Sequence, residues 1–518
     1  MAAINSILHA GQTQSWYLLL LILPLAYLAT VVIYRIYFHP LSRYPGPFLG
    51  KISEFYSFLG VWRNDRTISQ YRMLQKYGSP VRFSSNELVF SDVKSVSEIY
   101  GQSSLLPEKE RTVSEALSAT GQPNVLNIVD RHQHGRVRRL LSHGFSLNGL
   151  LESESLVAAK VDQYVDLVFR QNENTIEGSG SSRLNEKTVD IYRKSHELYL
   201  DIISQLGFAR SFDCLNGDNT TALDDVDAFG LVVPAQAFFP GFRYLPIPAI
   251  RQGFERVARL ERFARKCLND YIQGSSGRAG GGGYDPRKHT SILSSMLNAQ
   301  DTESGTNLSM EEIVENTIIF LVAGSSTTAV TLTYLVWECG RRPEVMKKLV
   351  EEIRSTFPSN GEMPSYREAS KLEYLNHVID ETLRVHGPLN TGVPRISTGR
   401  NIGGHYLPAG AGVSNNPYAT ARDAAVFPEP ELFQPERWEN ATAEMRLMSR
   451  PFSIGPRNCI GRHLAMMGLV LTVTRLFQQF DLHVHPSVTE ESMRLRDRGV
   501  YTPWGESLLV VATPVEKG

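Results

Sequence analysis

Phe452-Ser-Ile-Gly-Pro-Arg-Asn-Cys-Ile-Gly461 sets one cysteine, Cys459, between two glycines, with Phe452 at the head and Arg457 two residues upstream. Gly455 and Gly461 permit tight turns and close backbone approach. The pattern suits a thiolate held on a rigid loop, where nearby amides hydrogen-bond the sulfur and tune its electron donation. Cys214, Cys267 and Cys339 have no such surroundings and read as inert core thiols. Four widely spaced cysteines with no C-x-x-C pair exclude a disulfide framework or a zinc module, and fit reduced thiols.

Working outward, KLEYLNHVIDETLRVHG predicts a helix closed by Gly387 and Pro388, with Glu381 and Arg384 three apart on one face. Alone, that pair reads as an ordinary exposed contact; Pro435-Glu-Arg437-Trp438 follows downstream. Ser309 and Glu312 form a capping box that starts a helix through ENTIIFLVAGSSTTAVTLTYLVWE. Thr317 to Trp337 is uncharged and long enough to cross a bilayer. Its centre is small and polar, however, and Glu311, Glu312 and Glu315 crowd its first turns. It is expected to be a buried central helix lining a pocket. Its run Ala323-Gly324-Ser325-Ser326-Thr327-Thr328 would elsewhere be a back-bonded helix. His134 and Arg138, four apart, share a helical face that alone reads as solvated and basic.

Taken in order along the chain, the motifs resemble the cytochrome P-450 family, whose haem-binding signature Phe-x-x-Gly-x-Arg-x-Cys-x-Gly is matched at every specified position. The resemblance covers essentially the whole chain. It implies a mostly α fold with a small β-region, a single catalytic domain, and haem b with Cys459 as axial ligand to the iron. It further implies that Arg457, His134, Arg138 and Arg395 contact haem propionates, guanidinium being suited to carboxylate. Glu381, Arg384 and Arg437 become a buried structural network. Ala323 and Gly324 would leave room for O₂, and Thr327 would hydrogen-bond it. Ser326 stands where the family usually carries Asp or Glu, so ordered water is the expected substitute in proton delivery.

An axial thiolate favours O–O cleavage. The implied activity is a monooxygenase inserting one oxygen atom from O₂ into a small apolar substrate. Electrons would come from NADPH through a separate NADPH–cytochrome P-450 reductase, since no dinucleotide fingerprint follows a predicted strand. Arg136, Arg139, Arg462 and His463 are expected to form a positive docking surface for it. HPLSRYPGPF resembles fungal microsomal members, many of which tailor secondary metabolites. Two other readings stay open: a haem-thiolate isomerase, dehydratase or peroxide-using enzyme, and a non-catalytic haem-binding membrane protein. Reductase-dependent consumption of NADPH separates the monooxygenase from both.

The 518 residues carry a net charge of -1 and a pI near 6.9, which argues against a nucleic-acid protein. Trp16 to Tyr34 runs without a charge, roughly 28 Å as a helix, close to bilayer thickness. Aromatic residues flank it, and the first basic residues, Arg35, Arg43 and Lys51, follow it. It therefore reads as an anchor with the bulk of the chain cytosolic, rather than a signal peptide. The expected organisation is a short lumenal terminus (1–15), a transmembrane anchor (16–38), a proline-rich elbow (39–50) and the catalytic domain (51–518), at the endoplasmic reticulum membrane. PVRFSSNELVFSD predicts a β-hairpin, and 274–283 a glycine-rich surface loop.

Overall fold

The computed structural model describes residues 22–102, 107–173, 188–219, 221–238, 241–273, 291–359 and 361–515. The first part of the expected anchor and the stretch 274–283 lie outside the described residues. The principal helices are α1 (Ile22–Phe38), α2 (Arg131–Ser142), α3 (Glu154–Glu173), α4 (Ile191–Phe208), α5 (Ala222–Phe238), α6 (Pro248–Ile272), α7 (Met310–Gly340), α8 (Glu373–His386) and α9 (Arg462–Gln479). Helix α1 closes in a π-helical turn at Tyr34–Phe38.

Helix α7 is the axis of the molecule. Its capping box is complete: Glu312 N–H donates to Ser309 Oγ at 3.1 Å, and Ser309 N–H donates to Glu312 Oε2 at 2.9 Å. By length and hydropathy it passes as a membrane span, yet most of it is buried inside the globule. Its hydroxyls are compatible with burial because they bond back to the helix. Ser325 donates to Leu321 O at 2.8 Å, Thr327 to Ala323 O at 2.7 Å and Thr333 to Ala329 O at 2.8 Å. Helix α4 packs antiparallel along it, with Gly207 beside Thr317 and Ile203 beside Gly324.

Strands β1 (Val81–Ser84) and β2 (Glu87–Phe90) form the expected hairpin, Val81 opposite Val89. Both faces are buried, so the polar positions do not reach solvent. Arg82, fully buried, donates to Arg35 O at 2.8 Å and to Ser85 O at 2.6 Å. The proline-rich elbow supplies the cover. Arg82 N–H bonds Pro45 O at 2.7 Å, and Leu41 and Tyr44 enter a core cluster with Leu88 and Phe90. The elbow is thus part of the globule as well as its link to α1.

The sheet continues through β3 (Glu108–Lys109), β5 (Arg395–Ile396) and β6 (Gly412–Asn415), in the order β1-β2-β6-β5-β3. A second sheet joins β4 (Thr188–Asp190), β8 (Leu509–Pro514) and β7 (Phe480–Val484), in that order. Pairing of β3 with β5 sets Lys109 directly across from Arg395. Two distant basic residues therefore meet at one sheet edge.

Candidate active site around Cys459

Cys459 lies three residues before α9, whose positive N-terminal end favours a thiolate nearby. Its N–H bonds Phe452 O at 2.9 Å, closing the loop. The other three cysteines are buried, and burial pushes their thiols up: Cys267 to about 12, Cys214 and Cys339 further. Burial raises Cys459 too, but the Gly461 N–H, Arg138 and Arg462 pull the other way. Its side chain nevertheless keeps accessible surface. Protein thus surrounds the thiol without covering it.

The two glycines of the motif differ. At Gly455 φ is +72°, and a Cβ would lie 2.2 Å from Tyr100 O and 2.4 Å from Gly101 O. The turn and close approach expected there are present. At Gly461 φ is −82°, and the nearest atom to a Cβ would be Cys459 Sγ at 3.9 Å. A turn is present at Gly461 too, but its φ is one any residue adopts, and its N–H toward the sulfur is what it contributes.

Lys109, His134, Arg138, Arg395 and Arg457 gather on one side of this loop. Burial, then Arg457 and Arg395, push Lys109 down to about 6. Burial, then Arg457, Lys109, Arg138 and Arg395, push His134 down to about 3. Burial and Arg395 bring Arg457 to about 10. None of the five forms an ion pair among the described residues; Asp130 and Glu108 act on Arg457, but rank below burial and the neighbouring arginines. Such an arrangement is costly unless an anion completes it.

Meanwhile their hydrogen bonds tie the loops together. Arg457 donates to Ile128 O at 2.6 Å and Val129 O at 2.7 Å; Arg138 donates to Asn458 O at 2.7 Å and to its side chain; Lys109 donates to Leu126 O. Arg395 stacks over Tyr100 at 5.2 Å. Both terminal nitrogens of Arg457 are therefore engaged by the loop before α2. Lys109 was not legible in the sequence, because only the β3–β5 pairing brings it here.

Ala323 is exposed although α7 is largely buried, and Leu126, Leu389 and Val393 are exposed apolar side chains. Leu126 and Val393 are brought near each other: Lys109 donates to Leu126 O and pairs across the sheet with Arg395, and Tyr100 donates to Val393 O at 3.0 Å. A Cβ on Gly324 would instead lie 3.0 Å from Ile203 Cγ1. On that side α4 packs against Gly324, while the residue itself stays partly exposed. Thr327 is half-buried and bonded to Ala323 O, with Ser326 beside it.

Glu381 and Arg384 are fully buried and joined by two 2.8 Å bonds; Arg437 adds one at 2.9 Å, Trp438 Nε1 one at 2.9 Å and Gln434 N–H one at 2.9 Å. Arg384 also donates to Ala421 O and Pro430 O. The anticipated basic docking face is reduced. Arg136 pairs with Glu312, and Arg139 with Asp301 at 2.8 Å and Glu303 at 2.9 Å, leaving Arg462 and His463 exposed. The two arginines are neutralised because the first turn of α7 and the chain before it pack against α2.

A haem carries two carboxylates on one edge and an iron that takes an axial thiolate. A cluster of basic groups without ion pairs, beside an accessible thiol, fits that group. The cytochrome P450 family model matches residues 43–507, and the chain belongs to that family. Averantin hydroxylase of Dothistroma septosporum is 30% identical over 93% of this chain and 88% of its own length. Cytochrome P450 monooxygenases poxM of Penicillium oxalicum (28%; 91% and 90%) and ABA2 of Pyricularia oryzae (29%; 90% and 90%) align similarly. The protein is a haem b-dependent monooxygenase of the kind that tailors fungal secondary metabolites, supplied with electrons from NAD(P)H through a reductase partner.

Proposed function

We propose that Cys459 is the axial ligand of the haem, and that the space bounded by Ala323, Leu126, Leu389 and Val393 receives a small apolar substrate. The observation that carries this is the accessible Cys459 thiol beside five basic groups that form no ion pair among the described residues. Bound there, the haem supplies O₂ activation and transfer of one oxygen atom to a C–H bond, the thiolate favouring O–O cleavage. Lys109, His134, Arg138, Arg395 and Arg457 hold the carboxylates. Gly461 N–H and the α9 N-terminus stabilise the thiolate. Ala323 would leave room for O₂ at the bound haem, and the Thr327 hydroxyl would hold a proton donor in place, with ordered water serving where Ser326 replaces an acid. Glu381, Arg384 and Arg437 are structural: they fix the 421–434 segment before the cysteine loop.

Helix α1 and the uncharged residues before it anchor the enzyme in the endoplasmic reticulum membrane, with the globule cytosolic. The exposed Arg462 and His463 belong to the face that meets NADPH–cytochrome P-450 reductase. The test is spectral. Reduced protein with CO should give the red-shifted Soret band of a thiolate-bound haem; Cys459→Ala should abolish it, and alanine at Cys214, Cys267 or Cys339 should not. A normal band in Cys459→Ala ends the assignment.

A further inference from the structure

Glu315 of α7 is 1% exposed and forms no ion pair among the described residues. A buried carboxylate without a cation needs donors, and one loop provides all of them. Ala119 N–H donates to Oε1 at 2.9 Å and Thr120 N–H to Oε2 at 3.1 Å; Thr120 Oγ1 follows at 2.7 Å and Asn124 Nδ2 at 3.1 Å. The next residue, Asn316, is fully buried and accepts Val125 N–H at 2.9 Å, while its own amide donates to Glu312 O at 2.7 Å. The loop is also braced within itself. Asn124 Oδ1 accepts Leu126 and Asn127 N–H at 2.9 and 2.8 Å, and Asn127 Oδ1 accepts Asn124 N–H at 2.7 Å.

The register along α7 matters. Asn316, Ala323 and Thr327 are seven and eleven residues apart, which at 3.6 residues per turn puts them within about 20° of one line. Val125 is therefore docked on the same helical face that carries Ala323 and Thr327, with Leu126, 41% exposed, beside it. From this we propose that Glu315 and Asn316 are positioning residues, a clamp that holds loop 117–128 as one wall of the substrate chamber and so sets the bulk of substrate the enzyme accepts. The proposal rests on the reading of Cys459 as haem ligand and α7 as the oxygen-side helix.

Two azoles separate the clamp from general stability in the full-length haem-loaded protein. Imidazole is small enough to touch little beyond the iron. Clotrimazole coordinates through the same type of nitrogen, but its three aryl groups lean on the chamber walls. Glu315→Gln sets an amide N–H₂ against the loop's N–H donors. Its clotrimazole Kd should shift about 10-fold or more, with imidazole within about 2-fold; a 10-fold change is about 1.4 kcal/mol. Thr120→Val keeps the buried carboxylate and removes one bond, so it should shift clotrimazole about 3-fold in the same direction. Equal shifts for both ligands, or none for either, would overturn the clamp. If Glu315→Gln loads no haem, the ratio of the two shifts in Thr120→Val decides by itself. An absent thiolate CO band in the unaltered protein would instead overturn the Cys459 reading.

Discussion

Single atoms decide much of the cysteine loop. Alanine at Gly455 would sit at positive φ and drive its Cβ into two carbonyl oxygens, whereas alanine at Gly461 would meet only Sγ at 3.9 Å. Strain of about 1 kcal/mol plus that overlap places Gly455→Ala among strongly destabilising changes, above ~4 kcal/mol. Gly455→Ala should therefore lose most haem-loaded protein, and Gly461→Ala should retain it; similar Soret-to-protein ratios in the two would contradict this. Thr327→Ala should lower product formed per NADPH consumed, releasing more peroxide, because a hydroxyl that orients the proton donor is gone. Ser326→Asp should keep or improve that ratio. An unchanged ratio in Thr327→Ala would remove the hydroxyl from the proton path. The motif letters located Cys459 and the Glu381–Arg384 pair, since both depend on spacing along one loop or one helix. They were silent on Lys109, on the Ile203 contact that explains Gly324, and on the acids that neutralise Arg136 and Arg139. Each of those arises between segments far apart in sequence, where spacing carries no information.

Helices and loops show why hydropathy alone misjudges elements. Helix α7 is apolar enough for a membrane, but its acids serve as a cap and as loop acceptors, and its hydroxyls bond inward. Helix α8 illustrates burial of charge. Glu381 accepts from Arg384, Arg437, Trp438 and the Gln434 N–H, so Glu381→Ala leaves Arg384 unpaired in the core. Breaking a buried pair typically costs about 3–5 kcal/mol. Glu381→Ala should give little or no haem-loaded protein; full recovery would mean that the pair is dispensable. At the N-terminus, the elbow makes the cut site matter. Arg35 donates to Ile52 O at 2.6 Å, and its carbonyl accepts from Arg82. Deleting 1–33 should give a haem protein released from membranes by carbonate. Deleting 1–38 should cost a further ~1.5–3 kcal/mol, the range for a hydrogen bond to a charged group. Identical urea midpoints for the two truncations would show that Arg82 finds another partner.

Across the whole molecule, buried histidines tie the fold to neutral pH. His386 closes α8 against the end of α7: its ring stacks on Tyr334 at 4.3 Å, and Nε2 lies 2.6 Å from Glu338 Oε1. Burial, and then Arg422, Arg342, Arg341 and Arg384, hold it well below the usual histidine range. It is therefore neutral and donates Nε2–H to Glu338. His196, buried in α4 with Nδ1 2.8 Å from Tyr192 O, is lowered by burial as well. The sign follows from where protons bind. Below about pH 6.5 the unfolded chain protonates His386 and the folded chain does not, so stability present above that pH is lost on acidification. The loss for His386 falls in the interval around pH 7.5 to 5.5, with His196 acting in the same direction. His386→Phe preserves the stack on Tyr334 and removes the titrating group. It should lower stability at every pH through the lost bond to Glu338, yet flatten the decline between pH 7.5 and 5.5. Urea midpoints of the haem-loaded protein across that interval measure the slope directly. Equal slopes for the two proteins would mean that His386 takes up its proton in the folded state, and that acid sensitivity originates elsewhere in the fold.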